Sequence, residues 1–137
     1  MRHFNKESLD YEFTDKVEAG LVLTGSDVKS LRTNTPQFQN SRVEIINGFP
    51  QILNLKIPEY KYSHGQTIDT THTRSLLLSQ KQIAKLISFR NQKYMLVPVA
   101  IYTKGKWFKL EIGVGRKMRK YEKREKIKKR EIERGLR

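Results

Sequence analysis

The chain has 137 residues, with 28 Lys plus Arg against 14 Asp plus Glu, no cysteine and a mean hydropathy of −0.69. A formal charge of +14 points to a polyanionic partner, nucleic acid or an acidic membrane surface, because solubility alone needs far less. Disulfides, thiolate zinc sites and a thiol nucleophile are excluded together.

The apolar runs, such as Leu21 to Leu23 and Tyr94 to Val97, fall far short of the roughly 20 residues that span a bilayer. Met1 to Glu7 has no apolar signal region. The expected compartment is therefore the cytoplasm, or an organelle matrix, with no membrane attachment.

In chain order, Ala19 to Leu23 is the first strand candidate, and a short helix begins near Ser26 with Val28 and Leu31 inward and Lys29 and Arg32 outward. Arg42 to Ile46 then ends at Asn47-Gly48, the dipeptide that best tolerates positive φ at both centres of a type I′ turn. Phe49 to Ile57 follows, with Leu53, Leu55 and Ile57 on one face at period two, which completes a hairpin. Residues 58–74 hold no sustained period and read as a long loop.

Leu76 to Leu78 is a further short strand. Ser79-Gln80-Lys81-Gln82 has capping-box spacing, ahead of a helix striped by Ile83, Leu86 and Ile87. Tyr94 to Tyr102 and Lys106 to Val114 form a second hairpin joined at Lys104-Gly105. Pro98 lacks a ladder donor and calls for an edge or a bulge. In the last strand Phe108, Leu110, Ile112 and Val114 alternate against Trp107, Lys109 and Glu111.

Residues 115–137 are a separate zone, with twelve Lys or Arg against four Glu. Met118, Tyr121, Ile127, Ile132 and Leu136 make no clean helical stripe, so this tail is expected to be disordered until it meets a partner. Residues 1–114 hold nearly all the aromatic and β-branched residues and constitute the folded domain. Short antiparallel strands with two or three small helices give a β-rich α+β fold class, closed or nearly closed into a barrel.

No catalytic constellation is visible, and the chain is not expected to be an enzyme or to carry a cofactor. His3, His64 and His72 match no compact zinc spacing and read as solvated loop residues, so no metal site is expected. Gly113-Val114-Gly115 lacks a third glycine, since Met118 stands there, and no Walker-type phosphate loop exists. What is present is a phosphate-neutralising tail and, on one strand face, Trp107 beside Lys109. That pair is either a stacking platform for nucleotides or part of a small second core under a helix.

Several ordered blocks resemble the small protein B (SsrA-binding protein) family of trans-translation. They are Asp10-Tyr11-Glu12-Phe13, Glu18 through Arg32, Thr73 through Leu78, Leu96-Val97-Pro98, Tyr102 with Lys104, Lys109 through Gly113, and Tyr121-Glu122-Lys123-Arg124. The resemblance covers almost the whole chain. It implies an oligonucleotide-binding-type antiparallel β-barrel with small peripheral helices and a basic C-terminal tail. It further implies a monomeric adaptor that binds the tRNA-like domain of transfer-messenger RNA (SsrA RNA) and delivers it to stalled ribosomes.

By family position, Glu18, Leu77 and Lys109 align with residues linked to RNA binding and Asn5 and Lys6 with the basic N-terminal segment; Tyr11 and Trp107 are the further RNA-binding candidates. In the tail, Arg116, Lys117, Arg119, Lys120, Tyr121, Lys123, Arg124, Lys128, Arg130 and Ile132 would meet the small-subunit decoding centre and the empty mRNA channel, where the tail becomes helical. A carboxylate at Glu18 either accepts from a base amino group, orients a basic neighbour, or is a plain salt bridge.

The chain departs from the family pattern at Leu9, where a His is usual, and at Ile132, where an aromatic is common. The family's Gly-Lys-Lys element falls on Lys117-Met118-Arg119 without a gap, or on Gly115-Arg116-Lys117 with one. The tail ends at Arg137, earlier than is common. A structural ribosomal protein or general RNA-binding protein is the alternative reading.

Overall fold

The computed structural model describes residues 1–60, 69–119 and 124–128. In order these form β1 (Arg2–Phe4), a 3₁₀ turn (Lys6–Asp10), β2 (Tyr11–Leu21), α1 (Gly25–Thr33), β3 (Arg42–Ile46), β4 (Phe49–Leu53), β5 (Arg74–Leu77), α2 (Gln80–Asn91), β6 (Met95–Lys104) and β7 (Trp107–Lys117). The strands make one antiparallel sheet of seven in the order β1-β6-β7-β2-β5-β4-β3. The class is thus β-rich α+β. No ladder joins β1 to β3, so hydrogen bonds do not close the sheet into the expected barrel; β1, three residues long, pairs only along β6.

Alternation decides the inner face. Val17, Ala19 and Leu21 of β2 and Leu110, Ile112 and Val114 of β7 are buried and meet Leu31, Ile52, Leu76 and Leu86 in a single core. The first strand candidate, Ala19 to Leu23, proves to be the end of the eleven-residue β2.

Both hairpin turns form. Asn47 and Gly48 take φ of 53° and 82°, the I′ pattern, between the paired Ile46 and Phe49. The second turn is shifted one residue from its expected place. Lys104 pairs Trp107, leaving Gly105-Lys106 as the loop, with positive φ only at Gly105 as a type II′ turn requires.

The expected strand to Ile57 stops early, at Leu53. Asn54 adopts φ of 59°, which shifts the alternation by one, so that Ile52, Leu55 and Ile57 are buried while Leu53 is only half-buried. Residues 61–68 of the expected long loop lie outside the described residues. At its far end Ile57 N–H donates to the Thr70 carbonyl at 3.0 Å.

Capping boxes start both helices, Thr24 with Asp27 and Ser79 with Gln82. On α2 the buried row is Ile83 and Leu86, continued by half-buried Phe89, and Ile87 is 39% exposed. The stripe therefore follows i, i+3, i+6 spacing, not the expected pairing of Leu86 with Ile87. A Schellman motif ends the helix: Tyr94 N–H donates to Phe89 O, Lys93 N–H donates to Arg90 O, and Lys93 sits at φ of 73°. The rings of Phe89 and Tyr94 meet edge to face at 5.5 Å, supplying the motif's apolar contact.

Candidate nucleic-acid interface

Strand register sets one transverse row on the outer face of the sheet. Leu77 lies opposite Gly20, Gly20 opposite Lys109, Lys109 opposite Tyr102, and Tyr102 opposite Arg2. Opposed residues share a face, as do residues two apart on a strand, so Glu18, Trp107 and Glu111 join this row. Trp107 and Leu77 are each 65% exposed, which decides against Trp107 packing under a helix.

Gly20 makes the row possible. A Cβ there would stand 3.1 Å from Leu77 Cβ, so the missing side chain lets Leu77 lie across β2. Leu77, Val22, Leu23, Val28 and Trp107 then line an open apolar cleft of about 640 Å³ bordered by Arg32, Lys106 and Lys109.

Charge on this face is ordered. The Tyr102 hydroxyl donates to Glu18 Oε1 at 2.5 Å, and Lys104 Nζ stands 3.4 Å from Oε2. The Tyr102 bond, aided by Lys104 and Lys109, holds the Glu18 carboxyl below the usual range. Burial and the Glu18 contact push the Tyr102 phenol up to about 12. Glu18 is therefore ionised and aimed, with a lone pair still free on each oxygen to accept from a ligand donor. Glu111 bridges Arg2 at 3.1 Å and Lys16 at 3.4 Å, and the Arg2 guanidinium lies 5.3 Å from the Tyr102 ring centre.

The structure thus brings together four of the residues singled out in the sequence: Glu18, Leu77, Trp107 and Lys109. It places the others elsewhere. Asn5 is buried, its amide donating to Pro98 O at 2.7 Å and its N–H to Val99 O at 2.8 Å, at the bulge where the β6 register shifts between Pro98 and Ala100. That bulge is the reason Pro98 fits an interior strand. Lys6 beside it is exposed. Tyr11 opens β2, roughly 30 Å along the strand from Gly20 at the usual rise. Its ring stacks on Phe13 at 6.2 Å, and burial, then Glu7 and Asp10, raises its hydroxyl pKa.

Of the tail residues, Arg116 and Lys117 still belong to β7, which runs past residue 114 and pairs Tyr11 and Glu12. Met118 N–H donates to Asp10 O at 2.9 Å and its side chain is buried. Arg119 is exposed, and Arg124 and Lys128 are exposed on a helical piece at residues 124–128. Lys120, Tyr121, Lys123, Arg130 and Ile132 lie outside the described residues.

Two histidines are not solvated as expected. His3 lies half-buried in β1 with Nε2 3.1 Å from Leu31 O, and His72 Nε2 stands 3.2 Å from buried Asp27. His64 lies outside the described residues. Among the described residues no three His, Asp or Glu side chains converge to hold a metal, and no helix is long and apolar enough to cross a membrane.

Gly20, Arg32, Tyr102, Lys104 and Lys106 complete the face without having been singled out for it. Gly20 carried a signal as a glycine interior to an apolar strand pattern, and Arg32, Tyr102 and Lys104 stood only within the blocks of family resemblance.

The family described as SmpB protein matches residues 3–137. The SsrA-binding protein of Lactobacillus delbrueckii subsp. bulgaricus is 42% identical over 129 residues, covering 93% of this chain and 84% of the relative. That of Oceanobacillus iheyensis is 40% identical over 133 residues, covering 96% and 86%. A solved structure described as "tmRNA-SmpB: a journey to the center of the bacterial ribosome" contains a chain 30% identical, with a TM-score of 0.72, covering 92% of this chain and 94% of that one. With the match running over nearly its whole length, the chain belongs to the SmpB family.

Proposed function

We propose that the protein is a non-catalytic RNA-binding adaptor that binds the tRNA-like domain of transfer-messenger RNA and brings it to stalled ribosomes in trans-translation. The observation that carries this reading is the meeting of Leu77, Trp107 and Lys109 on one exposed face of a chain from this family. Relatives carry the name SsrA-binding protein, and the matched structure joins the family to transfer-messenger RNA and the ribosome.

In this reading the curled sheet is an oligonucleotide-binding-type barrel left open between β1 and β3. Residues 1–118, which include the end of β7 and the buried Met118, hold the RNA through the Leu77 face, and residues 119–137 enter the empty mRNA channel. The charge of the tail supports that division, because cations that release counterions from phosphate bind RNA without reading sequence. Work on ribosomes puts the protein in the cytoplasm.

Sedimentation of ribosomes stalled on messages without a stop codon tests the assignment. After a salt wash, the chain is expected on stalled ribosomes only when transfer-messenger RNA is present. Equal retention on all ribosomes without that RNA would make it a structural ribosomal protein instead.

A further inference from the structure

His72 stands at the mouth of a buried ion pair. Arg74 of β5 holds both carboxylate oxygens of Asp27 on α1, and the Asp27 side chain is 3% exposed. The imidazole lies just outside, 31% exposed, with Nε2 3.2 Å from Asp27 Oδ2 and Nδ1 3.3 Å from the Thr73 carbonyl oxygen. Both ring nitrogens therefore face acceptors. A carbonyl has no proton to give, and the Asp27 carboxylate, kept ionised against its burial by Arg74 and the Thr24 N–H, has none either. A neutral imidazole carries one N–H and would turn the lone pair of its other nitrogen on an oxygen. The imidazolium donates at both positions.

Charge balance selects the same form. Among the described residues the charged groups that lie against His72 are Asp27 from α1, Arg74 from β5 and Asp69 from its own segment. Asp69 is ionised too, its carboxyl lowered by its bonds to Thr71 and then by the charges of His72 and Arg74. Two carboxylates against one guanidinium lack one positive charge, and the imidazolium supplies it.

We infer that residues 69–73 form a pH-sensitive latch, closed on α1 by the doubly protonated ring of His72 and released when that ring loses a proton. The other bonds that leave this segment run to Ile57 and Arg74, so among the described residues His72 is its one polar link to α1. The link needs the proton. Its contribution is therefore present in acid and lost as pH rises through the range in which imidazole deprotonates. Release leaves Asp27 paired with Arg74, so the segment opens locally while the fold persists. Because α1 carries Val28 and β5 carries Leu77 into one cleft, the latch sets how firmly two of its walls are joined.

The Ile57 N–H, which donates to the Thr70 carbonyl at 3.0 Å, reports whether the segment is seated. The experiment measures its hydrogen exchange, corrected for the intrinsic rate, and urea unfolding of the full chain at about pH 5.5 and about pH 8. Wild type is compared with His72→Gln, whose side chain hydrogen-bonds but takes no proton. In the wild type, Ile57 protection should be about fivefold greater in acid, the worth of one hydrogen bond. In His72→Gln it should be the same at both pH values, and the unfolding constant should exceed that of the wild type about fivefold in acid and match it in alkali. A difference between the two chains that does not change with pH would make His72 a packing residue and overturn the latch. Wild-type Ile57 protection that stays constant between the two pH values would also overturn it, and that reading needs no variant to fold.

Discussion

Arg74 and Asp27, 47 positions apart in the chain, meet as a buried bidentate pair with both nitrogen to oxygen distances at 3.0 Å. The remaining guanidinium donors go to the carbonyls of Leu55, Thr70 and His72, so every donor of a side chain with no exposure is used. Asp27 in turn accepts from Thr24 N–H at the start of α1. One ion pair therefore fastens the helix that carries Val28 and Arg32 into the cleft wall to the strand that carries Leu77.

Breaking that pair on one side should be costly, because it strands a buried charge. Arg74→Ala is expected to destabilise the fold by about 3–5 kcal/mol, read as a lowered urea midpoint. A loss under 1 kcal/mol would show that the pair does not hold the fold together.

The pair also predicts a pH dependence. Burial pushes the Asp27 carboxyl up, but the hydrogen bonds and charge of Arg74, with Thr24 N–H and His72, bring it below its ordinary 3.8. A carboxylate whose folded pKa is depressed contributes stability that is present above its unfolded pKa and lost as pH falls through the folded one. Stability should accordingly fall below about pH 4. In Asp27→Asn that part of the decline should be absent from urea melts recorded across pH.

The C-terminus of α2 offers the opposite test. Lys93 holds the left-handed position of the Schellman motif at φ of 73°, where glycine carries no steric cost. Lys93→Gly should therefore raise stability by about 1 kcal/mol. An unchanged or lowered melting temperature would contradict this.

On the outer face of the sheet, Tyr102 should titrate near 12 by ultraviolet absorbance, raised by burial and by Glu18, and in Glu18→Gln it should move down from there, since the carboxylate that favours the phenol is gone. The phenol's raised pKa contributes stability present below the unfolded value of 10 and lost as pH rises toward 12.

The body and the tail should separate in function. Lys109→Ala is expected to weaken binding of transfer-messenger RNA by about 1 kcal/mol and to lower the salt slope by about one. Truncation after Met118 should leave that affinity largely intact and abolish rescue on the ribosome. The cut belongs there because β7 reaches Lys117 and Met118 N–H bonds Asp10 O. Equal loss of RNA affinity in the two variants would refute the partition.

Features set by neighbours in sequence were legible before the structure. Asn47-Gly48, the Ser79 capping box and the alternation from Trp107 to Val114 each depend on residues within one turn, and each formed. Features set by distant partners were not. The strand role of Tyr11 to Val17 was hidden because Asp15 stands where the alternation of Tyr11, Phe13 and Val17 calls for an apolar residue. Arg74 reads as an ordinary surface cation until Asp27 is folded against it. Trp107 and Lys109 could be placed on one face from spacing alone. Leu77 was named only through family resemblance, since its exposure depends on Gly20 of the neighbouring strand.

The most direct test of the central claim is a competition titration of the full chain between transfer-messenger RNA and bulk tRNA across a salt series. Charge alone gives both affinities the same steep decline with salt, whereas a shaped face adds a term that salt does not screen. The account predicts a preference for transfer-messenger RNA that persists as salt rises. Parallel collapse of the two curves would mean that the charge of +14 does the binding, and would contradict it.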